Sequence, residues 1–377
     1  MMEVIIKIRN SVIGFLYKNA LKPILFSFDP ENVHDAFVRI GKVLGAFSIT
    51  KVLTALMFQY RNPVLEQKVL GIKFKNPIGL AAGFDKNAEL PGILPSVGFG
   101  FAEFGSVTGN PCAGNPKPRL WRLKESQGIV VHYGLKNDGC EKIAQKLKKK
   151  KIGFSYGISI AKTNCKATAS RDAGIEDYVK AYKKLKEFGD YITINISCPN
   201  AYGGLPFTNK SDLSALLKSI NQSKKIKPIF LKMAPDLTSQ ELDEIIEVAE
   251  KYNVDGFVCT NLTKDRNNKA MMKNIFEKEL PKNGGISGKP VEGLSTSQIA
   301  NIYKRTKGKF IIIGCGGVFT AEDAYKKIRA GASLIQLITG MLFGGPQTVS
   351  EINQGLTELL KRDGFKNISE AIGADYK

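Results

Sequence analysis

The feature that most constrains the fold is an alternation of apolar, strand-like runs with amphipathic, helix-like segments, which starts near Leu65. Short runs rich in β-branched and aromatic residues are typical of buried strands. They cover residues 77–82, 101–107, 156–161, 191–197, 228–233, 256–261, 310–314 and 334–339. Between them, helical periodicity is clearest over 175–188, 239–251 and 321–330, and Thr238 with Glu241 and Thr320 with Asp323 predict capping boxes at the starts of the last two. Eight such strands favour a closed, parallel (β/α)8 TIM barrel over an open doubly wound sheet.

Residues 1–60 differ from this alternation and predict an N-terminal helical extension, which leaves 61–377 for the barrel domain. Apolar residues recur at helical spacing from Val4 to Leu21, and Pro23 is expected to end that helix. A second amphipathic helix should begin with Asp29 as N-cap and Pro30 in its first turn. Two short apolar helices with basic flanks suit a membrane surface, and they equally suit packing on the main domain. Periodicity alone leaves both interpretations open.

Composition limits the class of protein. The chain has 377 residues, 43% of them hydrophobic and 24% charged, which is typical of a soluble globular protein. The net charge of +20 comes mostly from scattered Lys and indicates a solvated surface, with membrane attraction next and nucleic-acid binding last. Six separated Cys and two His argue against zinc, iron–sulfur or disulfide frameworks, so no metal site is expected. No run reaches the roughly 20 apolar residues of a membrane span.

Barrel enzymes carry their functional residues where strands end, and several strand ends here are polar. Lys86 follows the first predicted strand, Lys232 lies near the end of the fifth, and Asn261 ends the sixth. A Lys within an apolar run such as IFLKMAP implies an anionic partner. After the fourth strand, Asn195, Cys198 and Asn200 follow one another closely. The Cys198 thiol is either a base or nucleophile or a small buried apolar group, and this stretch alone allows both.

A phosphate site is predicted after the last two strands. The segments 314–317 and 339–340 are rich in glycine, and backbone N–H groups of such turns approach anions closely. The two lysines at the mouth could balance the charge of a ring that becomes anionic on reduction. One phosphate, one such ring and a single barrel suit flavin mononucleotide (FMN).

Several longer motifs resemble those of dihydroorotate dehydrogenases over nearly the whole chain. They are NPIGLAAGFDKNAE (76–89), GFGFAEFGSVT (98–108), GNPKPRLWRL (114–123), INISCPN (194–200), PIFLKMAPDL (228–237), GFVCTN (256–261), GGISGKP (284–290), IIIGCGGV (311–318) and AGASLIQLITG (330–340). The extension with FDPENVH (28–34) is similar to that of class 2, the quinone-dependent, membrane-associated enzymes.

The resemblance implies an FMN-dependent oxidation of dihydroorotate to orotate, with a quinone as electron acceptor, in pyrimidine biosynthesis. It implies cofactor contacts from Ala82, Lys86, Ser106, Ser159, Asn195, Lys232, Thr260, Gly288, Gly317, Ile338 and Thr339. Substrate contacts would come from Lys86, Asn195, Asn200 and Asn261, and Cys198 would be the base that removes the C5 proton. A thiol needs only a modest fall in pKa to act as a base near neutral pH. The expected location is the cytoplasmic face of the cell membrane, as a peripheral protein.

The chain departs from the family pattern at several of these positions. Cys198 stands where class 2 enzymes usually carry Ser, and Ser159 replaces an Asn on the flavin side. Val131 and Leu262 stand where polar residues usually contact the substrate, and Ile338 occupies an aromatic position near the phosphate. Two alternative hypotheses therefore accompany the first. One is another FMN barrel oxidoreductase, acting on a related dihydropyrimidine or tRNA uridine or using fumarate or NAD as acceptor. The other is a non-catalytic flavin-binding protein at a membrane surface.

Overall fold

The computed structural model describes residues 2–197 and 207–377. Its strands are β1 (Gln67–Val69), β2 (Ile72–Phe74), β3 (Ile78–Leu80), β4 (Phe101–Val107), β5 (Leu120–Leu123), β6 (Gly128–Val131), β7 (Ser155–Ile160), β8 (Tyr191–Asn195), β9 (Ile229–Met233), β10 (Gly256–Cys259), β11 (Gly285–Gly288), β12 (Ile311–Cys315) and β13 (Leu334–Leu337). Eight of them form a closed parallel barrel in the order β3-β4-β7-β8-β9-β10-β12-β13. These are the eight strands that the sequence predicts, so the TIM-barrel prediction is confirmed.

The helices surround the barrel and also precede it. They are α1 (Met2–Leu16), α2 (Lys22–Ser27), α3 (Pro30–Leu44), α4 (Ser48–Phe58), α5 (Leu94–Val97), α6 (Cys140–Lys148), α7 (Arg171–Leu185), α8 (Lys210–Asn221), α9 (Ser239–Lys251), α10 (Lys269–Met272), α11 (Glu292–Thr306), α12 (Ala321–Arg329), α13 (Thr339–Gly344) and α14 (Thr348–Arg362). Predicted starts are confirmed where side chains cap them: Asp29 accepts a hydrogen bond from the backbone N–H of Asn32, and Thr238 and Thr320 form capping boxes.

A buried polar layer crosses the barrel interior. The Glu103 carboxylate accepts hydrogen bonds from the Thr193 hydroxyl (2.9 Å) and from the Gln336 amide (3.1 Å) inside the barrel. Every residue of β4, β8 and β9 is buried, because helices cover the outer face of the barrel and side chains fill its interior. Polar side chains at the carboxyl ends of these strands are thereby held on a rigid frame.

The first part of the extension continues past the expected break. A π-helical turn, Tyr17–Leu21, joins α1 to α2, and Pro23 lies in the first turn of α2. The prediction that Pro23 ends the helix is wrong: Leu21 and Lys22 keep helical backbone angles, because the wider π-helical turn before Pro23 accommodates a residue that has no N–H to donate.

Three further elements were not predicted. Helix α4 completes the extension, the β1–β2 hairpin precedes the barrel, and β5, β6 and β11 form a separate antiparallel sheet. Within the described residues, no single helix meets the length and hydropathy criteria for crossing a membrane; the bent pair α3 and α4, at 117°, meets them only when both are counted together.

Candidate functional site

A cavity of about 300 Å³ lies between the carboxyl ends of the barrel strands and the N-terminal extension. Its barrel side is lined by strand-end residues, including Lys86, Ser106, Asn195 and Lys232. Its other side is lined by apolar residues of the extension, among them Leu25, Phe26, Val33 and Phe37. One polar end and one apolar end therefore meet in a single cavity, which suits a polar ring at the strands and a hydrophobic molecule at the extension.

A hydrogen-bond network fixes the polar side chains at the ends of β4, β7 and β8. The Asn195 amide donates to Ser106 Oγ (2.9 Å), which lies 2.8 Å from Ser159 Oγ. Asn195 Oδ1 accepts from Ser197, through both its backbone N–H (3.2 Å) and its hydroxyl (3.0 Å). The Asn261 amide donates to the carbonyl of Ser197 at 3.0 Å. These contacts hold the two carboxamides side by side at the cavity wall, directly before the segment that carries Cys198.

Lys86 lies against the aromatic face of Tyr133, with its ammonium 4.1 Å from the ring centroid. Burial lowers the pKa of Lys86 to about 8. Next to it, the His34 ring from α3 lies 2.8 Å from the carbonyl oxygen of Phe84 and 3.0 Å from an Asp35 carboxylate oxygen. Because Phe84 and Lys86 belong to one loop, α3 directly supports the loop that positions this lysine.

The loops after β12 and β13 form a narrow cradle of small residues. Gly316 and Gly317 have φ angles of 121° and 71°, which favour glycine. A Cβ atom at Gly340 would lie 2.0 Å from the carbonyl oxygen of Val318, so only glycine fits there. The N–H groups of Gly316, Gly317 and Gly340 donate to no backbone carbonyl among the described residues. Unsatisfied N–H groups on a concave surface are the usual means of binding a phosphate.

Two further polar groups of the cavity lack partners within the described part of the chain. The hydroxyl oxygen of Thr260 is buried without a hydrogen bond, and no carboxylate lies within ion-pair distance of Lys232. Leaving such groups unpaired in a closed site is costly, so a polar, anionic ligand would satisfy them. Together with the glycine cradle, they fit the phosphate and the electron-rich ring of FMN.

One wall of the cavity is apolar where a polar wall is usual in the family that the sequence resembles. Val131 pairs with Gly285 across β6 and β11, and a Cβ atom at Gly285 would lie only 1.9 Å from Leu262 Cδ1. Leu262 therefore fills the space over this glycine, and Val131 and Leu262 both line the cavity. Val131 and Leu262, the two departures from the family pattern on this wall, therefore form one contiguous apolar patch.

Most of the predicted site residues line this one cavity: Ala82, Lys86, Ser106, Asn195, Lys232, Thr260, Asn261, Gly317, Ile338 and Thr339. Ser159 and Gly288 lie behind this lining, Ser159 against Ser106 and Gly288 against Thr339. Cys198 and Asn200 lie outside the described residues.

Sequence reasoning missed several residues of the cavity. Tyr133, Lys136 and Arg122 line it. Tyr133 and Lys136 lie outside the quoted motifs, and Arg122 lies within GNPKPRLWRL (114–123) without a pattern that marks it as a site residue. Cys315 lines it as well. His132 lies 3.2 Å from the Asn115 amide, where it is a local hydrogen-bond partner.

Comparison with known proteins agrees with this geometry. Residues 64–360 match the family model described as dihydroorotate dehydrogenase. The chain belongs to the dihydroorotate dehydrogenase family. It is 38% identical to a dihydroorotate dehydrogenase (quinone) of Haloarcula marismortui, over 94% of this chain and 98% of that protein. It is 41% identical to the protein of the same name from Christiangramia forsetii, over 91% of this chain and 99% of that one.

Solved structures of the family share the fold. The dihydroorotate dehydrogenase of Eimeria tenella in complex with ferulenol superposes with a TM-score of 0.82 at 30% identity, covering 94% of this chain and 99% of that one. The ligand-free form from the same organism gives a TM-score of 0.80 at 31% identity, covering 93% and 100%. The matched length includes the extension as well as the barrel, since the chain is covered almost entirely.

Proposed function

We propose that this protein oxidises (S)-dihydroorotate to orotate with bound FMN and passes the electrons to a quinone, in de novo pyrimidine biosynthesis. The observation that carries the proposal is the single cavity that joins the polar strand ends of the barrel to the apolar side of the extension. One cavity with these two ends suits a reaction with one polar and one hydrophobic substrate. The relatives named as dihydroorotate dehydrogenase (quinone) support it.

The cofactor site would combine groups that lack a hydrogen-bond partner among the described residues with the polar network at the strand ends. The N–H groups of Gly317 and Gly340 would hold the phosphate, with Thr339 and Ile338 beside them. Thr260 and Lys232 would face the ring system, and Ser106, Ser159, Asn195, Ala82 and Gly288 would complete the pocket around it. When bound, FMN supplies the acceptor for the hydride of the substrate.

The substrate site would lie where Lys86, Asn195 and Asn261 converge. The Lys86 ammonium would bind the carboxylate of the substrate, and the carboxamides would donate to the ring carbonyls. A carbonyl that receives hydrogen bonds stabilises the negative charge that develops when the adjacent C5 loses a proton. We assign that proton transfer to Cys198, with Asn200 as a further substrate contact, because both follow directly on the network of Asn195 and Ser197.

The quinone would reach the cavity from the extension. Phe26, Val33 and Phe37 supply the apolar lining, and Arg122 adds a polar group whose Nε has no partner among the described residues. A quinone carbonyl accepts hydrogen bonds, so Arg122 is the donor we propose for it.

The same extension would rest on the cytoplasmic face of the cell membrane. Helix α1 directs polar residues toward the barrel: Arg9 donates to the carbonyl of Leu56 (2.8 Å) and to Ser350 Oγ (2.8 Å), and Asn10 donates to Ser350 Oγ as well. Its apolar residues face outward, since Ile8 is 59% and Phe15 66% exposed. A helix that packs through its polar side and exposes its apolar side suits a lipid surface.

The decisive experiment is a titration of the purified, FMN-loaded protein with dihydroorotate under anaerobic conditions. We expect the absorbance of oxidised FMN to fall, and to return when a quinone is added. No decrease would overturn the substrate assignment, and return with fumarate but not with quinone would overturn the acceptor. The variant Cys198→Ala should retain FMN and lose the decrease at neutral pH. An unchanged rate in that variant would contradict the role of Cys198 as base.

A second candidate activity follows from the apolar wall of Val131 and Leu262. A ring with fewer polar substituents than dihydroorotate would leave fewer groups unpaired against this wall. The same titration with dihydrouracil, which lacks the carboxylate, separates the two candidates. Faster reduction by dihydrouracil than by dihydroorotate would favour the second one.

A further inference from the structure

A buried lysine lies behind the glycine cradle and belongs to none of the roles above. Lys327, on α12, is fully buried, and its ammonium lies 3.1 Å from the carbonyl oxygen of Glu292, 3.0 Å from Ser295 Oγ and 2.8 Å from Thr296 Oγ1. Within the part of the chain that the structure describes, no carboxylate is within ion-pair distance of it. A buried cation without an ion pair carries a large desolvation cost, which an anion nearby would offset.

The hydrogen bonds show that the lysine is charged. Ser295 uses its single hydroxyl hydrogen for the carbonyls of Cys259 (3.1 Å) and Cys315 (2.8 Å), and Thr296 uses its own for the carbonyl of Glu292 (2.9 Å). With these hydrogens directed at the carbonyls, both hydroxyls accept from Lys327, and an amine that donates three bonds is an ammonium group. Burial lowers the pKa of Lys327 to about 8, which leaves the group protonated at pH 7.

The acceptors of Lys327 connect it to both sides of the cradle. Glu292 touches the cradle directly, because a Cβ atom at Gly317 would lie 2.3 Å from Glu292 Cβ. Ser295 bonds to the last residues of β10 and β12, which immediately precede Thr260 and Gly316. One ammonium group thus holds the first turn of α11, and through it the two strand ends that line the proposed FMN site.

The charged side chains around this end of the cradle leave one unpaired positive charge, which suits a bound anion. Three lysines lie around this end of the cradle, Lys289, Lys326 and Lys327, against two carboxylates, Glu292 and Asp323. Lys289 is 2.9 Å from Asp323, and Lys326 is 3.1 Å from Glu292, so these four charges pair with one another. Lys327 is the positive charge left over.

We propose that Lys327 is a positioning residue for the phosphate of FMN: its ammonium lies behind the glycine cradle as a fixed positive charge and holds the loops of the cradle in place. This proposal rests on the proposed function, because it assumes that the cradle binds FMN. It differs from a purely structural tie between α11 and α12 in one respect. The phosphate should depend on Lys327, whereas the flavin ring should not.

Binding of FMN and of riboflavin to the apoprotein, followed by quenching of flavin fluorescence, separates the two roles, because riboflavin lacks only the phosphate. In Lys327→Met we expect the affinity for FMN to fall at least about tenfold, because the variant removes a positive charge near the phosphate in a site that is partly shielded from water. The affinity for riboflavin should stay within about twofold of the wild-type value. Lys304→Met is the control, since it removes an exposed lysine from α11 whose ammonium lies over Tyr376, away from these charges. It should leave both affinities nearly unchanged. Equal losses for the two flavins in Lys327→Met would overturn the proposal.

The wild-type protein provides a second test that does not depend on the folding of a variant. A phosphate bound near Lys327 should raise the pKa of its ammonium, so FMN binding at about pH 8.5 should take up protons from solution. The phosphate itself is already a dianion there, because its second pKa is about 6. Calorimetry in buffers of different ionisation enthalpy measures the uptake, and riboflavin should give less of it. Equal uptake for both flavins would contradict the proposal. Failure of the protein to bind either flavin would instead contradict the proposed FMN site itself.

Discussion

At the scale of single residues, Lys86 combines three features that suit the binding of an anion. It is held against Tyr133 by a cation–π contact, it has no ion-pair partner within the described residues, and it belongs to a loop supported by His34. Its lowered pKa, about 8, is a consequence of burial. Such a lysine is charged at pH 7, yet it can lose its charge within a pH range that experiments reach.

The first prediction concerns the pH dependence of orotate binding. As the pH rises through about 8, Lys86 loses its proton, so the affinity for the orotate carboxylate should fall roughly tenfold between about pH 7.5 and pH 9. The spectral change of bound FMN on titration with orotate measures this. Orotate binding is a better measurement here than turnover, because the activity of a thiol base such as Cys198 would rise over the same pH range.

The variant Lys86→Met should bind orotate weakly and with little pH dependence. Lys136→Met, which changes another lysine of the same cavity, should retain the fall near pH 8. A wild-type affinity that stays constant between these pH values would refute the assignment of Lys86 to the carboxylate.

The sequence alone predicts most of the polar residues of the cavity, because barrel topology places every strand end on one face. It does not predict that Tyr133 lies under Lys86, since that contact depends on the path of the loop after β6. The sequence marks Val131 and Leu262 only as separate departures. Their contact through Gly285 joins two distant segments, and periodicity carries no information about such a pairing.

At the scale of elements, the contact between α3 and the barrel domain is centred on one buried carboxylate. Glu31 accepts two hydrogen bonds from Arg119, at 3.0 and 2.8 Å, and a third from Lys136 at 3.2 Å. Burial by itself would raise the pKa of Glu31, but the bonds from Arg119 and Lys136 outweigh it and lower the pKa to about 2. Because Lys136 lines the cavity, the same carboxylate links the extension to the site.

The second prediction is that Glu31→Gln loosens the extension. It leaves the buried Arg119 guanidinium without its carboxylate, which should cost about 3 kcal/mol in the free energy of unfolding. The wild-type protein should lose the same contribution as the pH falls from about 4.5 toward about 2, because the carboxylate of the folded state is then protonated. The variant should lack that part of the pH dependence. Urea unfolding at several pH values measures both effects.

Lys117→Met is the control for this contact between α3 and the barrel domain. Lys117 also faces Glu31, at 3.6 Å, but its side chain is largely exposed, so its loss should cost less than about 1 kcal/mol. If Glu31→Gln destabilises the protein no more than Lys117→Met does, the buried pair does not hold the extension.

Local sequence patterns are sufficient to predict some helix boundaries but not others. The caps at Asp29, Thr238 and Thr320 are local hydrogen-bond motifs, and the structure confirms them. Pro23 is local as well, yet its effect depends on the π-helical turn before it, which composition does not indicate. The sheet of β5, β6 and β11 depends on the pairing of β11 with β6, which lies more than a hundred residues earlier in the chain, and the sequence carries no local signal for that pairing.

At the scale of the whole molecule, the barrel and the N-terminal extension place their apolar residues differently. The barrel buries apolar residues on the inside and under its helices, whereas the extension exposes them on α1, α3 and α4. Exposed apolar residues on three helices of the extension exceed what isolated surface positions explain, and the cavity opens beside them. The alternative that these helices simply pack on the main domain accounts for their inner sides only. A membrane surface would cover the outer sides and would supply a hydrophobic substrate.

The third prediction therefore concerns lipid binding. Replacing Ile8 and Phe15 together by Glu puts two charges on the outer side of α1, where these residues are 59% and 66% exposed. Co-sedimentation with phospholipid vesicles should fall sharply, because each apolar side chain contributes about 1.5–3 kcal/mol when buried in lipid. Thermal stability and turnover with a short-chain, water-soluble quinone should stay close to those of the wild type. The control is Ile226→Glu, on the loop between α8 and β9 at the opposite end of the barrel, where the side chain is 39% exposed. That variant should still sediment with vesicles. If the Ile8 and Phe15 variant sediments as well as the control does, the outer side of α1 is not the membrane contact, and the packing interpretation of the extension is the correct one.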